Sequence, residues 1–301
     1  MRTPSEPKSA NRRHAVPFEP WRIKDLLQVT ARYLEEKGIE APRLNAEVLL
    51  AHQLDLDRVA LYLNFDQPLT EEELAGYRSL IKRRVAREPL QYITGIQEFW
   101  SLQMSVCPHV LIPRPETEIL VDQVIHLAKD LEREKDKGVH MVELGTGSGA
   151  VAIALARELP GATLLATDLS PAALQVALEN AVTHGVSDRI TFAEGDLWGP
   201  LEERGLKCDL VISNPPYVSK SEFAALPPEV RDHEPGQALD GGDEGMDFLE
   251  RIIRGAPGFL NPGGWVALEM APHQTRKALD LMDETGAYDH KDRIKDYSGR
   301  Y

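Results

Sequence analysis

Four consecutive residues, Asn214-Pro215-Pro216-Tyr217, have types and spacing that suit a definite piece of chemistry. They follow Asp209-Leu210-Val211-Ile212-Ser213, a short apolar run that reads as a buried strand. The two prolines remove two backbone donors and fix two φ angles, and a residue before proline is pushed out of the helical region. Asn214 is therefore expected to present its side-chain amide and the neighbouring carbonyls in one rigid geometry. Such acceptors suit a planar –NH2 group, and Tyr217 can lie against the face of the same plane. Taken alone, Asn-Pro is more simply read as a strand ending in a proline-rich turn.

A second motif adds a cofactor to this picture. Val142-Glu143-Leu144 runs into Gly145-Thr146-Gly147-Ser148-Gly149, and the apolar run Ala150–Ala156 follows. A strand, a glycine-rich turn and a helix are the layout by which α/β folds bring backbone close to a nucleotide-like ligand. The glycines meet G-x-G-x-x-G only in part, and no Lys-Ser/Thr follows, which excludes a P-loop. The run Thr163–Thr167 ends in Asp168, where a carboxylate can grip ribose hydroxyls. A nicotinamide enzyme would carry the fuller fingerprint near the chain start. Here the unit begins near residue 140 and leads to an amide-selecting motif, so the pair reads as an adenosyl cofactor beside an amino-group site: a methyltransferase.

At this point the chain resembles the protein-(glutamine-N5) methyltransferases that modify peptide-chain release factors, from about residue 21 to the end. The resemblance rests on Arg83-Arg84, Arg87-Glu88-Pro89-Leu90-Gln91-Tyr92-Ile93-Thr94-Gly95, Glu98-Phe99-Trp100 and Val110-Leu111-Ile112-Pro113-Arg114-Pro115-Glu116-Thr117-Glu118. It continues through the glycine turn, Asn214–Tyr217, Glu234-Pro235, Ala238-Leu239, Gly241-Gly242 and Gly245. Asn-Pro-Pro-Tyr is shared with DNA and RNA adenine methylases, whereas Ile112–Glu118 is far more specific. The resemblance implies an α/β fold: a Rossmann-like class I S-adenosylmethionine-dependent methyltransferase domain, preceded by a small helical bundle and a β-hairpin linker. It also implies that the last two strands form an antiparallel edge.

The elements needed to position these motifs can be read from the rest of the chain. Residues 1–20 carry Pro, Ser and Arg without an apolar core and are expected to be a mobile tail rather than a secretory signal. Residues 21–90 read as helices: Ile23, Leu26, Leu27, Thr30 and Leu34 share a face that Gly38 ends, Pro42 suits a first turn, and Thr70–Glu73 is a capping box. Residues 91–115 are expected to be a hairpin linker, and residues 116–301 the catalytic domain, with alternating strands and helices calling for a parallel sheet. Strands are expected near 140–144, 163–168, 190–194, 208–213 and 264–269, with a charged loop over Arg133–Gly138.

Composition narrows the partner. Lys+Arg 34 against Asp+Glu 48 gives a formal charge of -14, which opposes a large phosphate-neutralising surface, so direct nucleic-acid binding is not expected and a protein partner is favoured. Cys107 and Cys208 are far apart and lack metal-ligand spacing; both read as core thiols of a reducing compartment, with no metal and a cytoplasmic setting. No apolar run reaches the ~20 residues of a membrane span.

The expected cofactor site is Gly145, Thr146, Gly147, Ser148 and Gly149, with Asp168 on the ribose and Asn214 at its border. The resemblance places Asp196-Leu197-Trp198 beside the adenine; Trp198 fits stacking there or an ordinary core position. For catalysis, Asn214 and Pro215 accept the two amide hydrogens, Tyr217 packs on the amide plane, and Pro216 completes the substrate site, with no strong general base required. Arg114, Glu116 and Thr117 either frame the substrate mouth or form a helix start capped by Thr117. Asn180 reads as a surface or cap residue, His233 as solvated, His52 and His126 as exposed or packed, and Arg83, Arg84 and Arg87 as a solvated helix end. Met270-Ala271-Pro272-His273-Gln274 departs from the small polar or glycine-containing turn that the resemblance leads one to expect. Three targets remain: the Gln of a release-factor Gly-Gly-Gln loop, a ribosomal protein, and the adenine amino group of nucleic acid.

Overall fold

The structure, a computed structural model, describes residues 21–135 and 138–300; the expected tail at 1–20 lies outside them. The chain divides into two compact units, the first ending at Val85 and the second starting at Ala86.

The first unit is helical: α1 (Ile23–Glu36), α2 (Pro42–Leu54), α3 (Arg58–Leu63) and α4 (Glu71–Val85). The periodic face Ile23, Leu27 and Leu34 is fully buried with Leu49, Leu50, Leu61 and Tyr77. The Thr70–Glu73 capping box is present, Glu73 N donating to Thr70 Oγ1 at 3.2 Å and Thr70 N to Glu73 Oε2 at 2.7 Å. Polar ties complete the core. The Tyr77 hydroxyl donates to Ala46 O at 2.9 Å, and Arg84 Nε to Asn45 Oδ1 at 2.8 Å. Arg84 is thus a buried tie and not part of a solvated helix end, because Asn45 on α2 offers its guanidinium an acceptor inside the bundle. Burial would raise the Glu47 carboxyl, but hydrogen bonds from Tyr62, Arg58 and Arg43 hold it below its ordinary value.

The second unit opens with α5 (Leu90–Thr94) and the antiparallel hairpin β1 (Ile96–Phe99) and β2 (Leu102–Ser105). Trp100 and Ser101 turn the hairpin with φ of 54° and 57°, the left-handed pair of a tight hairpin turn. Phe99 and Met104 are buried in the core on one face of the main sheet, so the hairpin is packed into this unit. The alternating elements follow: α6 (Thr117–Lys135), β3 (His140–Leu144), α7 (Ala150–Glu158), β4 (Thr163–Asp168), α8 (Pro171–Thr183), β5 (Ile190–Glu194), α9 (Gly199–Arg204), β6 (Cys208–Ser213), α10 (Lys220–Phe223), α11 (Pro228–Arg231), α12 (Asp247–Phe259), β7 (Leu260–Leu268) and α13 (Thr275–Thr285). Helix α6 takes up Arg133 to Lys135 of the expected charged loop; residues 136 and 137 lie outside the described residues.

The sheet order is β5-β4-β3-β6-β7, and every pairing is parallel. Helices α6 and α7 cover one face, while Leu201 of α9 and Ile252 of α12 pack on the other. Burial on both faces is why β6 reads as an unbroken run, with all six residues buried. The expected antiparallel edge is absent among the described residues. β7 runs parallel to β6, with a register shift between Cys208 and Leu210, and residues 286–300 contain no strand. That stretch, with Asp289, Lys291, Asp292, Arg293, Lys295 and Asp296, has no alternating apolar run to pair with an edge.

The chain starts the sheet at β3, builds outward through β4 and β5, then crosses back to place β6 on the other side of β3. The carboxyl ends of β3 and β6 therefore meet at the topological switch point, where open α/β sheets bind ligands. The Ser213 hydroxyl donates to Leu144 O at 2.7 Å and ties the two ends together. No described helix is long and apolar enough to cross a membrane.

Candidate functional site

The glycine turn leaves the carboxyl end of β3. Gly145 N and Thr146 N both donate to Thr167 O at 2.9 Å, which anchors the turn to β4. Gly145, Gly147 and Gly149 have φ of 75°, 55° and 80°, the left-handed region that L side chains avoid. A Cβ built on Gly145 or Gly147 meets nothing within 4 Å, so these two leave open space above the turn. A Cβ on Gly149 would stand 3.0 Å from Ala177 Cβ, so the third glycine serves helix packing.

The Thr146 hydroxyl of this turn points inward. Thr146 Oγ1 donates to Glu143 Oε2 at 2.6 Å, and Ala152 N donates to the same oxygen at 3.1 Å. Burial pushes the Glu143 carboxyl up to about 8 in spite of these bonds. Ser148 is buried, and its carbonyl accepts from Asn180 Nδ2 at 2.9 Å. Asn180 is not a surface or cap residue. Its amide also receives Ser105 N at 2.8 Å and donates to Ser105 O at 3.0 Å, pinning the hairpin to the turn. Asp168 ends β4 with Oδ2 accepting from Gly147 N at 2.8 Å and Oδ1 from Ser170 N at 2.9 Å. Burial raises this carboxyl, opposed by the backbone N–H groups of Ser170, Gly147 and Leu169.

The segment after β5 is held from the opposite side. Asp196 Oδ2 accepts from Arg251 Nη2 at 2.6 Å, and Leu197 has φ 46°. Trp198 stacks on Phe259 with centroids 4.7 Å apart and planes 5° apart, and its Nε1 donates to Arg251 O at 3.2 Å.

Asn214–Tyr217 leaves the end of β6 next to this crevice. Asn214 Nδ2 donates to Thr117 Oγ1 at 3.2 Å. Thr117 is the first residue of α6 and is buried; its hydroxyl serves the Asn214 amide rather than capping the helix. The Tyr217 hydroxyl donates to Glu269 Oε1 at 3.3 Å, and burial, with Glu269 beside it, holds the phenol well above its ordinary value. Glu269 is half-buried, and its Oε2 is enclosed with no hydrogen-bond partner among the described residues. Burial raises its carboxyl; the Thr117 and Tyr217 hydroxyls and the Asn214 amide favour its charged form, while the Glu116 charge opposes it.

The departing turn at Met270–Gln274 turns out to be a brace. It forms a short 3-10 turn over Pro272–Gln274. Buried Gln274 donates through Nε2 to Tyr217 O at 2.8 Å and Gly245 O at 2.9 Å, and accepts Ala271 N at 2.9 Å. Gly241 allows the same close approach, since a Cβ there would lie 2.7 Å from Tyr217 Cα. In front of the motif is a cavity of about 310 Å³ lined by Asn214, Pro215, Tyr217, Leu111, Arg114 and Leu239, among others. Arg114 Nη2 is 2.6 Å from Glu234 Oε1, and Glu234 Oε2 accepts Ile112 N at 3.2 Å. Beside it, His233 is half-buried, with Nε2 3.3 Å from Ala86 O. Cys208 is buried as expected of a core thiol, but Cys107 is only half-buried.

The structure thus brings Asn214, Pro215 and Tyr217 to one cavity and groups Gly145–Gly149 with Asp168 across the switch point. The sequence reading missed Glu269, Gln274 and Glu234. Glu234 and Gln274 stood within segments already singled out, the one for its resemblance and the other for its departure from it.

Comparison with known proteins agrees with this layout. Residues 25–95 match the family described as "PrmC N-terminal domain", and residues 121–226 match "Methyltransferase small domain". Fold and site together define an S-adenosylmethionine-dependent methyltransferase. The chain is 45% identical over 271 residues to a release factor glutamine methyltransferase of Geobacter sulfurreducens, covering 90% of this chain and 92% of that protein. It is 42% identical over 278 residues to the one of Moorella thermoacetica, covering 92% and 95%. The chain belongs to the release factor glutamine methyltransferase family. Among solved structures, the ribosomal protein L11 methylase of Lactobacillus delbrueckii subsp. bulgaricus is 25% identical, covering 60% of this chain and 74% of its own, with a TM-score of 0.41.

Proposed function

We propose that this protein methylates the side-chain amide nitrogen, N5, of the glutamine in a release-factor Gly-Gly-Gln loop, within a catalytic domain spanning residues 116–301. The observation that carries the reading is the Asn214 side chain. Its Nδ2 is engaged by Thr117 Oγ1 and the residue lines the cavity, which leaves Oδ1 as the acceptor it can offer a substrate. The high identity to release factor glutamine methyltransferases supports the choice of target.

The residues of the glycine turn fit an adenosyl cofactor. Open space stands over Gly145 and Gly147, and Asp168 at the end of β4 is a carboxylate able to meet ribose hydroxyls. Thr146 and Ser148 shape the turn, and Asp196, Leu197 and Trp198 border the adenine. When bound, S-adenosylmethionine supplies an activated methyl group on a positively charged sulfur.

The chain's own task is to orient a poor nucleophile, because an amide lone pair is delocalised into its carbonyl. Asn214 Oδ1 and the Pro215 carbonyl accept the two amide hydrogens, which favours a pyramidal nitrogen with its lone pair free. Tyr217 packs on the amide plane, and Pro216 keeps the loop in one conformation. No strong base is needed, since the nitrogen becomes acidic only after it has been methylated.

The test offers labelled S-adenosylmethionine with a release factor, its Gln→Ala variant, ribosomal protein and DNA in parallel. Label on the release factor that the Gln→Ala variant loses is the expected result. Label on ribosomal protein alone, or on DNA alone, overturns the assignment of target.

A further inference from the structure

An asparagine amide has two ends of nearly equal shape and opposite chemistry: the oxygen accepts hydrogens and the nitrogen donates them. With Oδ1 toward the cavity, Asn214 suits a substrate –NH2; with Nδ2 outward it would suit a carboxylate. We propose that Glu269 is the positioning residue that fixes this orientation, and so makes the site select a glutamine over a glutamate; the inference rests on the amide-clamp reading above.

Thr117 cannot set the orientation alone, because a hydroxyl both donates and accepts. An ionised carboxylate only accepts. Glu269 follows directly on β7, and its backbone N donates to Ser213 O at 3.0 Å, which fixes it behind the Asn-Pro turn. The Tyr217 hydroxyl donates to its Oε1 at 3.3 Å, and the Thr117 hydroxyl and the Asn214 amide, themselves joined at 3.2 Å, are near enough to favour its charged form. Once the Thr117 hydrogen is drawn toward Glu269, the lone pairs of Oγ1 are left for Asn214 Nδ2 at 3.2 Å. One acceptor-only group at the back thereby turns every donor inward and leaves Oδ1 facing out. Its enclosed Oε2 marks the same point. An enclosed polar atom left unpartnered costs about 1–3 kcal/mol, which an apolar residue would avoid, so packing alone does not account for a polar side chain here.

The experiment measures methyl transfer to a release factor and inhibition by the same factor carrying Gln→Glu in its Gly-Gly-Gln loop. For the wild-type protein the Glu form should bind about 100-fold more weakly, as expected where a site's polar groups mismatch the ligand. In Glu269→Gln, kcat should fall about 10- to 100-fold, the worth of a charge-assisted hydrogen bond. The Gln-over-Glu preference should shrink to about threefold or less, with S-adenosylmethionine affinity kept within about twofold. Glu269→Asp, which keeps an acceptor-only group, should retain the preference at reduced kcat, and Thr117→Ser should retain it while Thr117→Val does not. A Glu269→Gln protein that discriminates as strongly as wild type overturns the inference, as does a Glu269→Asp protein that loses the preference. A wild-type protein that accepts both forms equally overturns the clamp reading itself.

Discussion

After β3 the chain turns on three glycines; after β6 it turns on two prolines. The first loop is built of backbone: two amides on one carbonyl, three positive φ angles, and the Thr146 hydroxyl directed to Glu143. What it offers a ligand is space and conformation. The second loop is built of side chains supplied from far along the chain, Thr117 from α6, Glu269 from the end of β7 and Gln274 from the following turn. What it offers is a set of oriented polar atoms. The two loops lie across one switch point yet obey different rules: a backbone-built site tolerates changes around it, and a side-chain-built site depends on each distant partner.

Asn214→Ala breaks the side-chain site at its centre and should have the largest effect. Turnover is expected to fall about 100- to 1,000-fold, comparable to removing one oriented polar group from a transition-state site. S-adenosylmethionine affinity, measured by calorimetry, should stay within about twofold; unchanged turnover in the purified variant would sink the clamp. Gln274→Ala comes next, because it strips Tyr217 O and Gly245 O of a buried donor. A loss of about 1–3 kcal/mol should appear as a lower urea midpoint, and kcat should fall about 10-fold while KM for the cofactor holds.

Much of the backbone-built half is legible in the sequence. Glycine spacing, Asp168 at the end of its strand and the continuous apolar run of β6 report local conformation and burial, and local rules read them. Strand expectations at 140–144, 163–168, 190–194 and 208–213 coincide with β3, β4, β5 and β6 for this reason. The side-chain half was half legible. Asn214–Tyr217 could be read as a clamp, but its supports could not, since Glu269 lies 52 positions from Tyr217 and Thr117 97 positions from Asn214. Asn180 and Arg84 were misread in the same way: a polar residue on a helix reads as solvated until its partners, Ser148 and Asn45, are folded against it. The edge of the sheet failed differently, because the expected antiparallel strand came from resemblance while residues 286–300 lack the apolar alternation to form one.

Gly147→Ala tests the backbone-built half. With φ at 55° and open space around a new Cβ, the substitution strains the turn without a clash, by about 1–2 kcal/mol. The expected outcome is S-adenosylmethionine affinity about 10-fold weaker and, at saturating cofactor, kcat within about threefold of wild type. A collapse of kcat at saturation would show that the turn contributes to the chemistry and would erase the contrast between the two loops.

Glu143→Gln probes the floor of the same loop, and its effect within any one pH unit is the smallest. The folded protein holds the Glu143 carboxyl at about 8, above its ordinary 4.5, because burial disfavours the charge. Between those values the folded form keeps a proton that the unfolded chain has lost. Stability should therefore be fullest below about 4.5 and decline as pH rises through about 8, by at most about 1.4 kcal/mol per pH unit for one proton. A glutamine has no proton to lose, yet its oxygen can still accept from Thr146 Oγ1 and Ala152 N. Urea unfolding of both proteins across this range should show a shallower decline for the variant. Parallel slopes would mean that Glu143 is ionised in the fold, and that the turn rests on a buried charge instead of a neutral acid.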